Sequence, residues 1–124
     1  MPQTQVIQEA SVGKDPFLPQ GNHIAKSYVI TAGETYGGKR LFPKGALMAE
    51  AGGKLVEYIE LGGGANAAVG ALQHAVLMDS DVTLDIDCSL IVSSTGFKVS
   101  ECDNWGTGTA AGDPDIEDNF HLIV

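Results

Sequence analysis

The chain has 124 residues, a mass of 12.9 kDa and a formal net charge of -9, from sixteen Asp and Glu against seven Lys and Arg. That length predicts one domain able to build its own core without disulfides or metals. The charge repels phosphate and argues against nucleic acid or an anionic membrane surface as a partner. Apolar residues make up 44% and charged residues 19%, below the usual ~25%, with 16 glycines and 6% aromatics. This leaves a neutral, small-residue surface suited to contact with other proteins.

Residues 1 to 26 lack periodicity and contain Pro2, Pro16 and Pro19 among scattered apolar residues such as Val6, Ile7, Phe17 and Leu18. They predict an extended, largely unanchored N-terminal arm that orders on a partner, with a β-rich domain over 27–124. The opening residues carry no basic and apolar leader pattern, so a secretory signal is not predicted and Cys88 and Cys102 are expected as reduced thiols. From Ser27, SYVIT is a β-branched and aromatic run. LFPKG then reads as a turn around Pro43 and Gly45. Residues 46–50 and 54–59 flank Gly52-Gly53, the dipeptide of a tight hairpin.

Residues 67–78 read as strand rather than helix, because Gly70 would cost a helix ~1 kcal/mol. The uncharged stretch 61–78 has the length of a membrane span, but its glycines with Asn66, Gln73 and His74 rule against one. Over 82–92, Val82, Leu84, Ile86, Cys88, Leu90 and Val92 alternate with a second set that contains Asp85, Asp87 and Ile91. That period predicts a half-buried strand. Thr95-Gly96 is expected to reverse the chain into a short strand FKVS. Asp113-Pro114 predicts the start of one short helix, and residues 121–124 a last strand.

Candidate chemistry is thin. Asp79, Asp81, Asp85 and Asp87 lack the glycine and the bidentate glutamate of a calcium loop. The Gly62–Gly64 loop has the glycines of a dinucleotide turn without the helix it needs. His23, His74 and His121 are scattered, and no serine sits in a nucleophile elbow. No catalytic residue, cofactor or metal is expected, and the chain does not read as an enzyme. Cys88 is expected to act as a small buried hydrophobe, and a Cys88–Cys102 bridge stays open on sequence grounds. Trp105 is either an interface anchor or a lid on the core. Charge is asymmetric: residues 1–78 hold six acids and six bases, while 79–124 hold ten acids and Lys98 alone.

Several segments resemble, in order, the lambda-type bacteriophage head decoration proteins. FLPQGN at 17–22 is similar to that family's N-terminal Pro-Gln-Gly-Asn stretch, and ALMAEAGGKLVEY at 46–58 to its hairpin. AVGAL at 68–72, DVTLDI at 81–86, the Gly96-Phe97 pair, Trp105 and the terminal Ile123-Val124 follow in register. AGETYGGKRLFPKG at 32–45 departs by being longer and more basic. The resemblance covers roughly 17–124.

It implies a mainly β, tulip- or barrel-like domain with one short helix and a flexible capsid-binding arm, forming a homotrimer. Its partner would be the major capsid protein, with no nucleic acid or membrane involved, and its place the outer surface of the virion after synthesis in the host cytoplasm. The arm residues that would make the contact are Val6, Ile7, Phe17, Leu18, Pro19, Gln20, Gly21 and Asn22, with Trp105 at an interface. Removing residues 1–22 is then expected to spare the fold and abolish shell binding. The alternative reading is a monomeric β-domain that binds a small ligand or carbohydrate.

Overall fold

The computed structural model describes residues 15–58, 68–78, 82–104 and 119–123. Within them the backbone forms β1 (His23–Ile30), β2 (Leu41–Phe42), β3 (Leu47–Ala51), β4 (Lys54–Glu57), β5 (Ala68–Leu72), β6 (Val76–Leu77), β7 (Ile86–Lys98) and β8 (Phe120–Ile123), with a 3-10 turn at Val99–Glu101. The chain is mainly β, as its short β-branched runs and frequent glycines predict. The expected helix at 113–118 lies outside the described residues.

Local chemistry accounts for the central hairpin. Gly52 and Gly53 both take positive φ, 62° and 83°, the conformation a two-residue turn needs to match strand twist. They join β3 and β4 in the register Ala51↔Lys54 to Met48↔Glu57. β5 pairs antiparallel with the other edge of β3, β7 with β5, and β8 runs parallel to the end of β7. Because β7 also pairs antiparallel with β1, and β1 meets β4 at Ile30↔Leu55, five strands close into a small barrel in the order β1-β4-β3-β5-β7. β2 and β6 form a separate two-stranded ribbon.

Two cores result. Inside the barrel, Ile30, Phe42, Met48, Leu55, Leu72 and Leu90 are fully buried together. On the outer face of β3, β5 and β7 a second cluster gathers Leu47, Ala71, Ile91, Phe97, Phe120 and Phe17. Neighbouring residues on each of these strands therefore point into different cores: Leu47 and Met48, Ala71 and Leu72, Leu90 and Ile91. Each fully buried Leu, Ile or Phe side chain contributes roughly 1.5–3 kcal/mol, so the outer cluster is as much part of the fold as the barrel interior. Alternation along β7 places Ile91 with the aspartates, yet it is 1% exposed, because Phe17 and Phe120 cover that stretch of the outer face. Val82 and Leu84, which the same pattern assigns to the core, precede the strand and are 61% and 50% exposed.

Two further expectations are corrected. Thr95-Gly96 does not reverse the chain: β7 runs unbroken through both for 13 residues. Glycine is favoured at 96 by the Leu18 side chain, whose Cβ and Cδ1 would lie 3.3 Å from an added Cβ. The strand over 67–78 is in fact two, β5 and β6, separated at 73–75.

The N-terminal segment is the largest departure. Of the expected arm, residues 15–22 are hydrogen-bonded along the domain and residues 23–26 are the first part of β1. Pro16 is fully buried and Phe17 is 9% exposed. The Lys98 N–H donates to the Pro16 carbonyl (2.6 Å) and the Leu18 N–H to the Gly96 carbonyl (3.0 Å), so this stretch lies antiparallel along the end of β7. Burial of one aromatic ring supplies what composition alone did not suggest, because it packs in a cluster with residues distant in sequence, among them Leu47, Ala71, Phe97 and Phe120.

Candidate functional site

Residues 15–23 form an anchor whose parts hold one another. The Phe17 ring sits 5.6 Å from Phe97 and 5.3 Å from His23, the latter edge-on. Leu18 is half-buried against Gly96; Pro19 and Gln20 project from a turn closed by the Gly21 N–H to the Leu18 carbonyl (2.9 Å). Asn22 is exposed, its N–H donating to Thr95 Oγ1 (2.7 Å) while its carbonyl accepts from the Thr95 N–H (3.0 Å).

His23 locks the turn from below. Its Nε2 is 2.9 Å from the Leu18 carbonyl oxygen, which can only accept, so the proton resides on Nε2. Nδ1 is hydrogen-bonded to the Ser94 hydroxyl (2.8 Å), and Ser94 Oγ accepts from the Gly96 N–H (3.1 Å). Ser94 is 2% exposed, and this relay satisfies it without water. Of the expected arm residues, the structure thus brings Phe17, Leu18, Gly21 and Asn22 together as an anchor. It leaves Pro19 and Gln20 outward. Val6, Ile7 and Trp105 lie outside the described residues, as do Asp79, Asp81 and the Gly62–Gly64 loop.

A second set of side chains seals strand edges. Residues 31–40 lie along the open side of β4: the Glu57 N–H donates to the Glu34 carboxylate and the Gly37 N–H to the Glu57 carboxylate, both at 2.9 Å. The Tyr36 hydroxyl donates to Asp103 Oδ2 (2.8 Å). Burial, and then the Asp103 carboxylate, hold the Tyr36 phenol above its ordinary range, so it remains a donor. The basic loop that departs from the resemblance is therefore an edge cover.

Asn104 does the same for β3. Its amide oxygen accepts from the Leu47 N–H (2.9 Å) and its amide nitrogen donates to the Leu47 carbonyl (3.0 Å), replacing a neighbouring strand where β4 has ended. Asn104→Ala strands both groups, at ~1–3 kcal/mol for a buried unsatisfied one. The variant is expected to lose about 2 kcal/mol in a urea unfolding titration, with an unchanged m-value.

Asp85 ties the entry of β7 to the hairpin. Lys54 Nζ lies 2.9 Å from Oδ2, and the Ala32 N–H donates to Oδ1 at 2.8 Å. The Lys54 hydrogen bond, then that of Ala32, hold the carboxyl below its usual 3.8. A depressed folded pKa stabilises above the unfolded value and ceases to do so as pH falls through the folded one. The stability gap between the parent and Asp85→Asn should therefore be full at pH 5–7 and close as pH falls below about 4, as thermal melts across that range would show. Asp87 is exposed.

Among the described residues no three His, Cys, Asp or Glu side chains gather to hold a metal ion. Cys88 and Cys102 are free thiols. Burial, and then Asp87, push the half-buried Cys88 up to about 11, while buried Cys102 points its Sγ at the Gly45 carbonyl (3.3 Å). His74 and His121 are exposed. No helix among the described residues is long and apolar enough to cross a membrane. No family model, curated protein or solved structure matches the chain.

Sequence reasoning missed the His23 relay and the Asn104 cap. The available signals were Gly21 next to the polar Asn22-His23 pair and Asn104 two residues after Cys102, neither specific in itself.

Proposed function

We propose that the chain is a phage capsid decoration protein, which sits as trimers at three-fold positions on the outside of the expanded head and stabilises it against internal DNA pressure. The observation that carries this reading is the anchor at residues 15–23. It fixes the chain antiparallel to the end of β7, with Pro16 at Lys98 and Leu18 at Gly96. A domain that holds its N-terminal segment along a strand end suits strand addition to a neighbouring protein by the residues that precede the anchor. Repeating that tie three times multiplies weak contacts through effective concentration. The ordered resemblance of 17–124 to head decoration proteins and the absence of a nucleophile constellation in the sequence point the same way.

Co-sedimentation with empty heads of the parent phage, expanded and unexpanded, tests it. Saturable binding to expanded heads near one trimer per three-fold site is the expected result. Failure to bind either form would overturn the reading in favour of a ligand-binding β-domain.

A further inference from the structure

The domain covers strand edges with side chains at β3 and β4, yet among the described residues no strand pairs with the outer edge of β1 from His23 to Val29, because β4 touches it at Ile30↔Leu55 alone. β8 also presents an open edge, but it is four residues long. Uncapped edges of this length are normally blunted, since they template pairing with another chain.

A groove of about 440 Å³ runs beside this edge, with residues 26–29 of β1 on one side, Glu50 and Gly53 of the hairpin on the other, and Asp87 of β7. That volume lies within the ~300–1,000 Å³ of ordinary ligand pockets. Lys26 is occupied over the Tyr28 ring, 5.5 Å from its centroid. Glu50 and Asp87 have no ion-pair partner among the described residues. A strand edge beside two unneutralised carboxylates fits an extended peptide that carries a cation.

We propose that the bare edge of β1 accepts an extended segment of the shell subunit, with a lysine or arginine of that segment placed between Glu50 and Asp87. This rests on the decoration reading. A second copy of the chain is the weaker occupant on charge: the chain carries -9, and its own residues 1–14 hold one acid, Glu9, and one base, Lys14. The anchored segment also leaves at the Lys98 end of β7, whereas the groove lies near Asp87. Eleven residues of strand at ~3.3 Å each put the two contacts roughly 35 Å apart. The domain would give a strand at one end and receive one at the other, and two such ties resist shear between neighbouring shell subunits better than one.

Full-length protein and the Glu50→Lys/Asp87→Lys double variant, at one half-buried and one exposed position, would be titrated against expanded empty heads, with a thermal melt of each to establish that both are folded. Amide exchange across 24–29 would be followed with and without heads. The expected result is about tenfold weaker binding by the variant, and slowed exchange of β1 amides in the parent on binding. Parent protein that binds heads while the variant binds equally and β1 exchange is unchanged overturns the inference and leaves decoration standing. Absence of binding by the parent overturns both. The readout is the β1 amides that do not face β7, and protection of those amides in concentrated protein without heads would assign the edge to a second copy and overturn it as well.

Discussion

Gly70→Ala is expected to destabilise the domain by about 3 kcal/mol and lower its melting temperature by roughly 10–15 °C. Gly70 sits in the middle of β5, and a Cβ there would collide with the Ile91 carbonyl oxygen and come within 2.9 Å of Leu90 Cγ and Cδ2. Its φ is not in the left-handed region. With free space, alanine would stabilise by ~0.4–1 kcal/mol through the unfolded chain. The sign is therefore decided by the carbonyl, which belongs to the backbone of a strand buried on both faces and cannot step aside as a flexible side chain would. Gly53→Ala is the matched control: φ is 83° and nothing lies within 4 Å of the added methyl, so it carries backbone strain of ~1–2 kcal/mol and no collision. A Gly70→Ala protein that melts within a degree or two of the parent would mean that β5 and β7 separate at little cost, and that the close approach does not hold the barrel together.

The elements legible from sequence are those whose cause is local. Gly52-Gly53 dictates its hairpin through chirality alone, and Pro43 with Gly45 dictates its turn. The β character of 86–92 follows from a period of two. What periodicity could not supply is the identity of the surface that faces each side of a strand. Ile91 is buried because Phe17 and Phe120 arrive from both ends of the chain, and Val82 and Leu84 are exposed because pairing starts only at Ile86. Gly96 looks like a turn and is instead a place where Leu18 packs against an extended strand. Closure of the barrel through β1 and β7 joins residues from 56 (Ile30↔Ile86) to 71 (His23↔Ser94) positions apart, and no local rule encodes it. The candidate site was half legible for the same reason. FLPQGN is recognisable as a segment with a role, but whether Phe17 faces a partner or its own core depends on Phe97 and His23.

That placement changes what truncation should do. Deleting residues 1–22 removes Pro16, Phe17 and Leu18, uncovers Phe97 and Ile91, and leaves the Lys98 N–H, the Gly96 carbonyl and His23 Nε2 without the partners they have in the anchor. Loss of a buried aromatic costs ~3–5 kcal/mol, and each backbone hydrogen bond ~1 kcal/mol. The shortened protein is therefore expected to lose about 6 kcal/mol and melt roughly 18–30 °C lower, contrary to the expectation from the arm reading that such a deletion spares the fold. Deleting residues 1–14 alone stops short of the anchor. That protein is expected to keep its melting temperature to within a degree or two while losing co-sedimentation with expanded heads. The pair separates two roles that an arm reading merges: from Asp15 onward the segment is a structural element, and the contact with a partner is assigned to the residues before it. If the 1–14 deletion still decorates heads, the attachment resides in the body of the domain, and the bare edge of β1 becomes the first place to look. If instead the 1–22 deletion melts like the parent, Phe17 contributes nothing to the outer core, and the anchor would have to be assigned to shell contact after all.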